Sequence, residues 1–138
     1  GDPWDARHLD MADGYTALPL STNQARRAST IISHVADACG ISREDFHLRT
    51  RKREISQPRF FAAFLLRGMT TLSLAQMARV LAGEGNEPFH HSNVNHGIKK
   101  TRALILESSS FHQQITQLAK TINEALHDEA QTPQLFRP

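Results

Sequence analysis

A chain of 138 residues, 39% hydrophobic and 22% charged, has the length for one hydrophobic core and one domain. Its longest apolar run, Phe60 to Leu66, falls far short of the roughly 20 residues of a membrane helix, and no basic-then-apolar leader opens it, so neither membrane insertion nor export is indicated. The lone Cys39 excludes an internal disulfide and fits a reducing cytoplasm, while a net charge of +2 permits a nucleic-acid partner without demanding one.

Residues 1–19 set Asp2, Asp5, Asp10 and Asp13 against Arg7, and Pro3, Gly14 and Pro19 break any periodicity. They read as an extended N-terminal arm. From Ser21 the pattern turns helical. Ser21-x-x-Gln24 is a capping box, and Ala25, Ala28, Ile32, Val35 and Cys39 recur at helical spacing until Gly40. Ser42-x-x-Asp45 predicts a second cap and a short helix carrying Phe46. A basic loop follows. Pro58 then marks the first turn of a helix, with Phe61, Phe64 and Leu65 on its buried side up to Gly68.

Ser73 caps a further short helix with Leu74, Met77 and Leu81 inward, stopped by Gly83. Two glycines and Pro88 make residues 83–89 a turn. The next helix starts near His91 or Ser92 and runs to about Ser108. Ser110 caps the last, with Ile115, Leu118, Ile122 and Leu126 as its stripe and an end near Ala130. No strand-like alternation and no internal repeat occurs, so the fold class is all-α. The expected architecture is one bundle of about six helices over residues 20–130, with 131–138 as a C-terminal tail.

Charge is concentrated in one segment. Arg49, Arg51, Lys52, Arg53, Arg59 and Arg67 stand against Glu54 alone, a local balance of +5 in a chain of +2. Such a cluster suits phosphates, because each one neutralised releases counterions. Downstream, the helix pair that starts at Ser73 and Ser92 has the layout of a helix-turn-helix. At 100° per residue, Val94, Ile98, Thr101 and Ile105 share one face of the second helix. Ser92, His96 and Lys99 point the other way, with Asn93 and Lys100 on the flanks. Hydroxyl, imidazole, amide and ammonium groups at the N-terminal end of a helix can reach base edges in a major groove. A solvated polar face on a surface helix is the plainer reading, and the basic loop upstream weighs against it.

From about Val35 to Thr101 the sequence resembles domain IV of DnaA, the bacterial chromosomal replication initiator. The matching strings are Arg51-Lys52-Arg53, Pro58-Arg59, Thr70-Thr71-Leu72-Ser73-Leu74 and His90-His91-Ser92-Asn93-Val94. The resemblance implies a Trp-repressor-like helix-turn-helix bundle that binds double-stranded DNA. It implies that the Arg51 loop enters a minor groove, that His91, Ser92 and Asn93 read bases in the adjacent major groove, and that Arg59 and Arg67 contact the backbone or bases nearby. The DNA-binding set is then Arg49, Arg51, Lys52, Arg53, Arg59, Arg67, Ser73, His90, His91, Ser92, Asn93, His96, Lys99 and Lys100.

Four departures lie near the reading head. His90 stands where the family has an acid, Ser92 and Asn93 replace paired threonines, and Phe60 replaces a glutamine. Glu84 to Phe89 lengthen a turn that is tight in the family. The family's sequence preference therefore does not carry over with the fold.

Other classes fare less well. No G-x-x-x-x-G-K-[ST] string occurs, so no nucleotide is expected, and the chain reads as a stand-alone relative rather than an initiator. His91 and His96 are five residues apart and diverge by about 140°, too far to share an ion on one helix. No metal, cofactor or catalytic residue is expected, and the protein is read as no enzyme, cytoplasmic and nucleoid-associated. The alternative function is a protein-interaction module, with the Phe111–Ala130 stripe pairing as a homodimer.

Overall fold

The computed structural model describes residues 19–135, with side chains as far as residue 129. All of the expected N-terminal arm but Pro19 lies outside them. Six helices follow in order: α1 (Thr22–Cys39), α2 (Arg43–Phe46), α3 (Arg53–Met69), α4 (Leu74–Ala82), α5 (His91–Glu107) and α6 (Ser109–Leu135). There is no strand among the described residues. The fold is an all-α bundle, and α4, the turn after it and α5 form its helix-turn-helix.

The helix ends follow side-chain chemistry. Ser21 Oγ accepts the Gln24 N–H at 3.0 Å while Gln24 Oε1 accepts the Ser21 N–H at 2.9 Å, a reciprocal cap that satisfies two otherwise orphaned donors. Gly40 ends α1 at φ 72°, ψ 29°, a left-handed conformation that glycine adopts without a Cβ clash. Ser42 caps α2 through the Asp45 N–H, and that single turn exists to bury Phe46, which is fully inaccessible. Ser73 and Gln76 repeat the box at the start of α4.

The core is built from Ile31, Ile32 and Val35 of α1, Phe46, Ala62 and Leu66 of α3, Met77 and Leu81 of α4, Val94 and Ile98 of α5, and Ile115 and Ile122 of α6. The α3 helix is its axis and packs most extensively on α5, then on α1. Cys39 is half-buried, and burial pushes its thiol up from the ordinary value, as suits a packing residue.

Three expectations need correction. The α3 helix begins at Arg53, so Pro58 sits inside it rather than in its first turn. A proline there deprives the Glu54 carbonyl of its partner, which is tolerable because Glu54 is exposed while the proline ring itself is buried. The buried face of α3 is Ile55, Pro58, Ala62, Ala63, Leu65 and Leu66. Phe61 and Phe64 are only half-buried at its edge, where Phe61 leans on Phe111 of α6 with ring centroids 5.0 Å apart. The last helix starts at Ser109 and continues to Leu135, into the stretch expected as a tail.

One polar network ties α1, α2 and α4 together. Arg43 donates to Ser33 Oγ at 2.6 Å and to Ser29 Oγ at 3.2 Å, and its Nη2 lies 3.4 Å from His47 Nε2. His47 Nδ1 donates to the Leu81 carbonyl at 2.9 Å, so Nε2 is the unprotonated acceptor. The ring lies so close to Gly83 that a Cβ there would sit 2.8 Å from its Cγ. Burial pushes the His47 pKa below its ordinary 6.5, the Leu81 carbonyl pulls it back, and Arg43 and Arg59 push it further down. A lowered folded pKa means that the unfolded chain binds the proton first. Stability is therefore expected to be level above pH 6.5 and to fall as pH drops below it. A His47→Gln variant, which keeps a donor and an acceptor without titrating, should lose that acid sensitivity in thermal melts at pH 7.5 and 5.5. An identical pH dependence in variant and wild type would show that His47 plays no part.

Candidate nucleic-acid interface

The helix α5 and its N-cap carry half of the candidate side chains. His90 is its N-cap, and its Nδ1 accepts the Ser92 N–H at 3.1 Å. Its ring stacks on His91 with centroids 4.3 Å apart and planes 27° apart. Val94, Gly97, Ile98 and Thr101 are buried, whereas Ser92, Asn93, His96, Lys99 and Lys100 are exposed and His91 is half-buried. These are the faces that helical phase predicts. Thr101 can be buried because its hydroxyl donates to the Gly97 carbonyl at 2.9 Å. Gly97 carries no sign in the sequence of its part in the packing. It lets α5 meet Phe60 of α3, whose ring also stands edge-on to His96 at 5.5 Å.

The basic loop comes up beside this helix start. Arg51 and Thr50 on one side and Asn93 and Val94 on the other line a common cleft of about 440 Å³, with Phe60 and Phe89 among its walls. Arg51, Lys52 and Arg53 are exposed, and their charged ends are bonded to no other described residue. Among the described residues they are free cations, as is Arg67 further along α3.

Arg49 and Arg59 are employed differently. Arg59 donates to the main-chain carbonyls of Phe46, Leu48 and Thr50, the last at 2.9 Å. Arg49 donates to the Glu87 carbonyl. Both guanidinium groups lie over the Phe89 ring, at 4.6 Å for Arg49 and 4.9 Å for Arg59, within cation–π range. Burial, and then the charge of Arg49, lowers the pKa of Arg59 from its ordinary value. These two arginines brace the loop against the turn, a role that their charge alone does not reveal.

Arg67, Lys99 and Lys100 are exposed but do not line the cleft, and the Ser73 hydroxyl is engaged in capping α4. Among the described residues no three His, Cys, Asp or Glu side chains gather as metal ligands, and no helix is long and apolar enough to cross a membrane.

The long turn is fastened at several points. Arg79 donates to the Asn86 carbonyl at 2.7 Å, Asn86 Nδ2 to the Ala82 carbonyl at 2.8 Å, and the Phe89 N–H to the Ala78 carbonyl at 3.2 Å. Phe89 packs against the core, and Glu84 and Glu87 face solvent. Deleting residues 84–87 removes two negative charges and frees Arg49 and Arg79. Affinity for random duplex DNA is expected to be unchanged or higher, with a lower melting temperature. Loss of DNA binding with cooperative melting retained would instead make the turn part of the contact surface.

The family described as the bacterial dnaA protein helix-turn-helix matches residues 28–101. The chromosomal replication initiator protein DnaA of Picosynechococcus sp. is 31% identical over 93 residues, 67% of this chain and 20% of its own. That of Synechococcus sp. is 31% identical over 104 residues, 75% of this chain and 21% of its own. That of Lachnoclostridium phytofermentans is 34% identical over 93 residues, 67% of this chain and 19% of its own. The chain thus spans about a fifth of the length of these relatives.

Proposed function

Since the chain belongs to the bacterial DnaA helix-turn-helix family, we propose that it binds double-stranded DNA sequence-specifically. The start of α5 enters the major groove, and the loop that carries Arg51 enters the neighbouring minor groove. The observation that carries this reading is the shared cleft: free arginine on one side, Asn93 on the other. In this reading Arg51, Lys52 and Arg53 supply general affinity, Lys99 and Lys100 meet phosphates, and His91, Ser92 and Asn93 read bases. Arg49 and Arg59 hold the loop in place. The target is a replication-origin or regulatory sequence, bound without a nucleotide, in the cytoplasm at the nucleoid. That Ile115, Ile122 and Leu126 of α6 are spent on the chain's own core speaks against the pairing of that stripe with a second copy.

Selection of bound duplexes from a random library is the test. The wild type is expected to enrich one motif, with affinity falling steeply as salt rises. Asn93→Ala should cost about 1–3 kcal/mol on that motif and almost nothing on random duplex. No enrichment and no salt slope would replace this reading with a protein-interaction module.

A further inference from the structure

A serine hydroxyl on a reading head is ambivalent. It holds one donor hydrogen and two acceptor lone pairs, and it turns to suit the base it meets. At Ser92 the structure removes that freedom. His90 Nδ1 accepts the main-chain N–H of Ser92 at 3.1 Å, so this nitrogen carries no hydrogen. The same nitrogen lies 2.7 Å from Ser92 Oγ. With none on Nδ1, the hydrogen between the two atoms is the serine's. The Ser92 O–H therefore points back at His90, and the exposed oxygen offers only lone pairs outward. The stack of His90 on His91, at 4.3 Å between centroids, keeps the imidazole from swinging away.

Resting on the DNA-binding reading above, we infer that His90 fixes Ser92 as a hydrogen-bond acceptor, so that this pair selects a base showing an amino group in the major groove. On the contacted strand that means adenine, through N6, or cytosine, through N4. Thymine and guanine present carbonyl oxygens at the corresponding place, and two acceptors cannot bond. Within this inference His90 is a positioning residue that acts through Ser92. A carboxylate at position 90 would accept the same two hydrogens and keep the serine an acceptor. An alanine would release the hydroxyl to serve either kind of base.

Deleting single atoms from the DNA tests the inference. In the selected site, each adenine and cytosine is replaced in turn by an analogue that lacks the exocyclic amino group, and affinities are measured for wild type, Ser92→Ala, His90→Asp and His90→Ala. At one position the wild type should lose roughly three- to tenfold, the worth of one hydrogen bond. Ser92→Ala should be indifferent to that deletion, His90→Asp should keep the full loss, and His90→Ala should show a smaller one. The inference is overturned if no amino deletion distinguishes wild type from Ser92→Ala, or if removal of a carbonyl oxygen does so instead. A wild type that binds random duplex with a salt slope while failing this test loses only the acceptor assignment. A wild type that binds no duplex at all brings down the DNA reading and this inference with it.

Discussion

Replacing Arg51 and Arg53 together by alanine is expected to weaken binding to every duplex, whatever its sequence. Both side chains are exposed and their charged ends bond to no other described residue, so the change takes nothing from the fold. For every phosphate left without its cation, the slope of log affinity against log salt should fall by about 1. Over a fourfold rise in salt, that makes the decline in affinity shallower by roughly threefold per phosphate. If one arginine occupies a narrow minor groove, preference for A·T-rich flanks should fade as well. Unchanged affinity of the double variant at low salt would rule out the loop as a DNA-binding element.

The second large effect should come from one methyl group. Alanine is ordinarily favoured over glycine inside a helix by about 1 kcal/mol, so Gly97→Ala would stabilise α5 were there room. There is none. The added Cβ would lie 2.6 Å from the Phe60 ring and 3.1 Å from the Phe60 Cα. The ring can turn, but the main chain of α3 cannot yield without parting the two helices that share the most extensive packing in the bundle. Overpacking of this kind costs about 1–3 kcal/mol, a fall in melting temperature of roughly 3–5 °C for each kcal/mol in a chain of this length. Specific DNA binding should weaken too, because Asn93 and Arg51 would no longer flank one cleft. Adding Phe60→Ala removes the clash with the ring and leaves the one with the main chain, so recovery should be partial. A higher melting temperature for Gly97→Ala would mean that α3 and α5 do not approach so closely.

What can be read from the sequence is what is written locally. The box at Ser21, the caps at Ser42 and Ser73 and the stop at Gly40 are decided by residues three or four apart, and each stands where expected. The faces of α5 follow from helical phase. The start of α3 escapes this logic because a proline marks where a helix can begin, not where it must, and the exposed turn before Pro58 tolerates one unserved carbonyl. The buried face of α3 escapes it because α1 and α5 approach closely enough to favour Ala62 and Ala63, which pushes the bulkier Phe61 and Phe64 to the rim. The bracing arginines are illegible for a different reason. Arg49 and Arg51 look alike in a basic run, and only the fold shows that a carbonyl 38 residues away claims the first of them.

That bracing has a kinetic consequence. With Arg49 joining the 49–53 loop to the long turn and Arg59 joining it to α3, the loop and the start of α5, the two elements proposed to meet DNA, hold their spacing before any duplex arrives. Neither the 49–53 loop nor the start of α5 then has to order itself during the encounter, so little of their freedom is lost on docking. Arrival should be governed by diffusion and electrostatic steering, and the lifetime of the complex by the bases that are read. Salt should act chiefly on the rate of arrival, and a wrong base pair chiefly on the rate of departure.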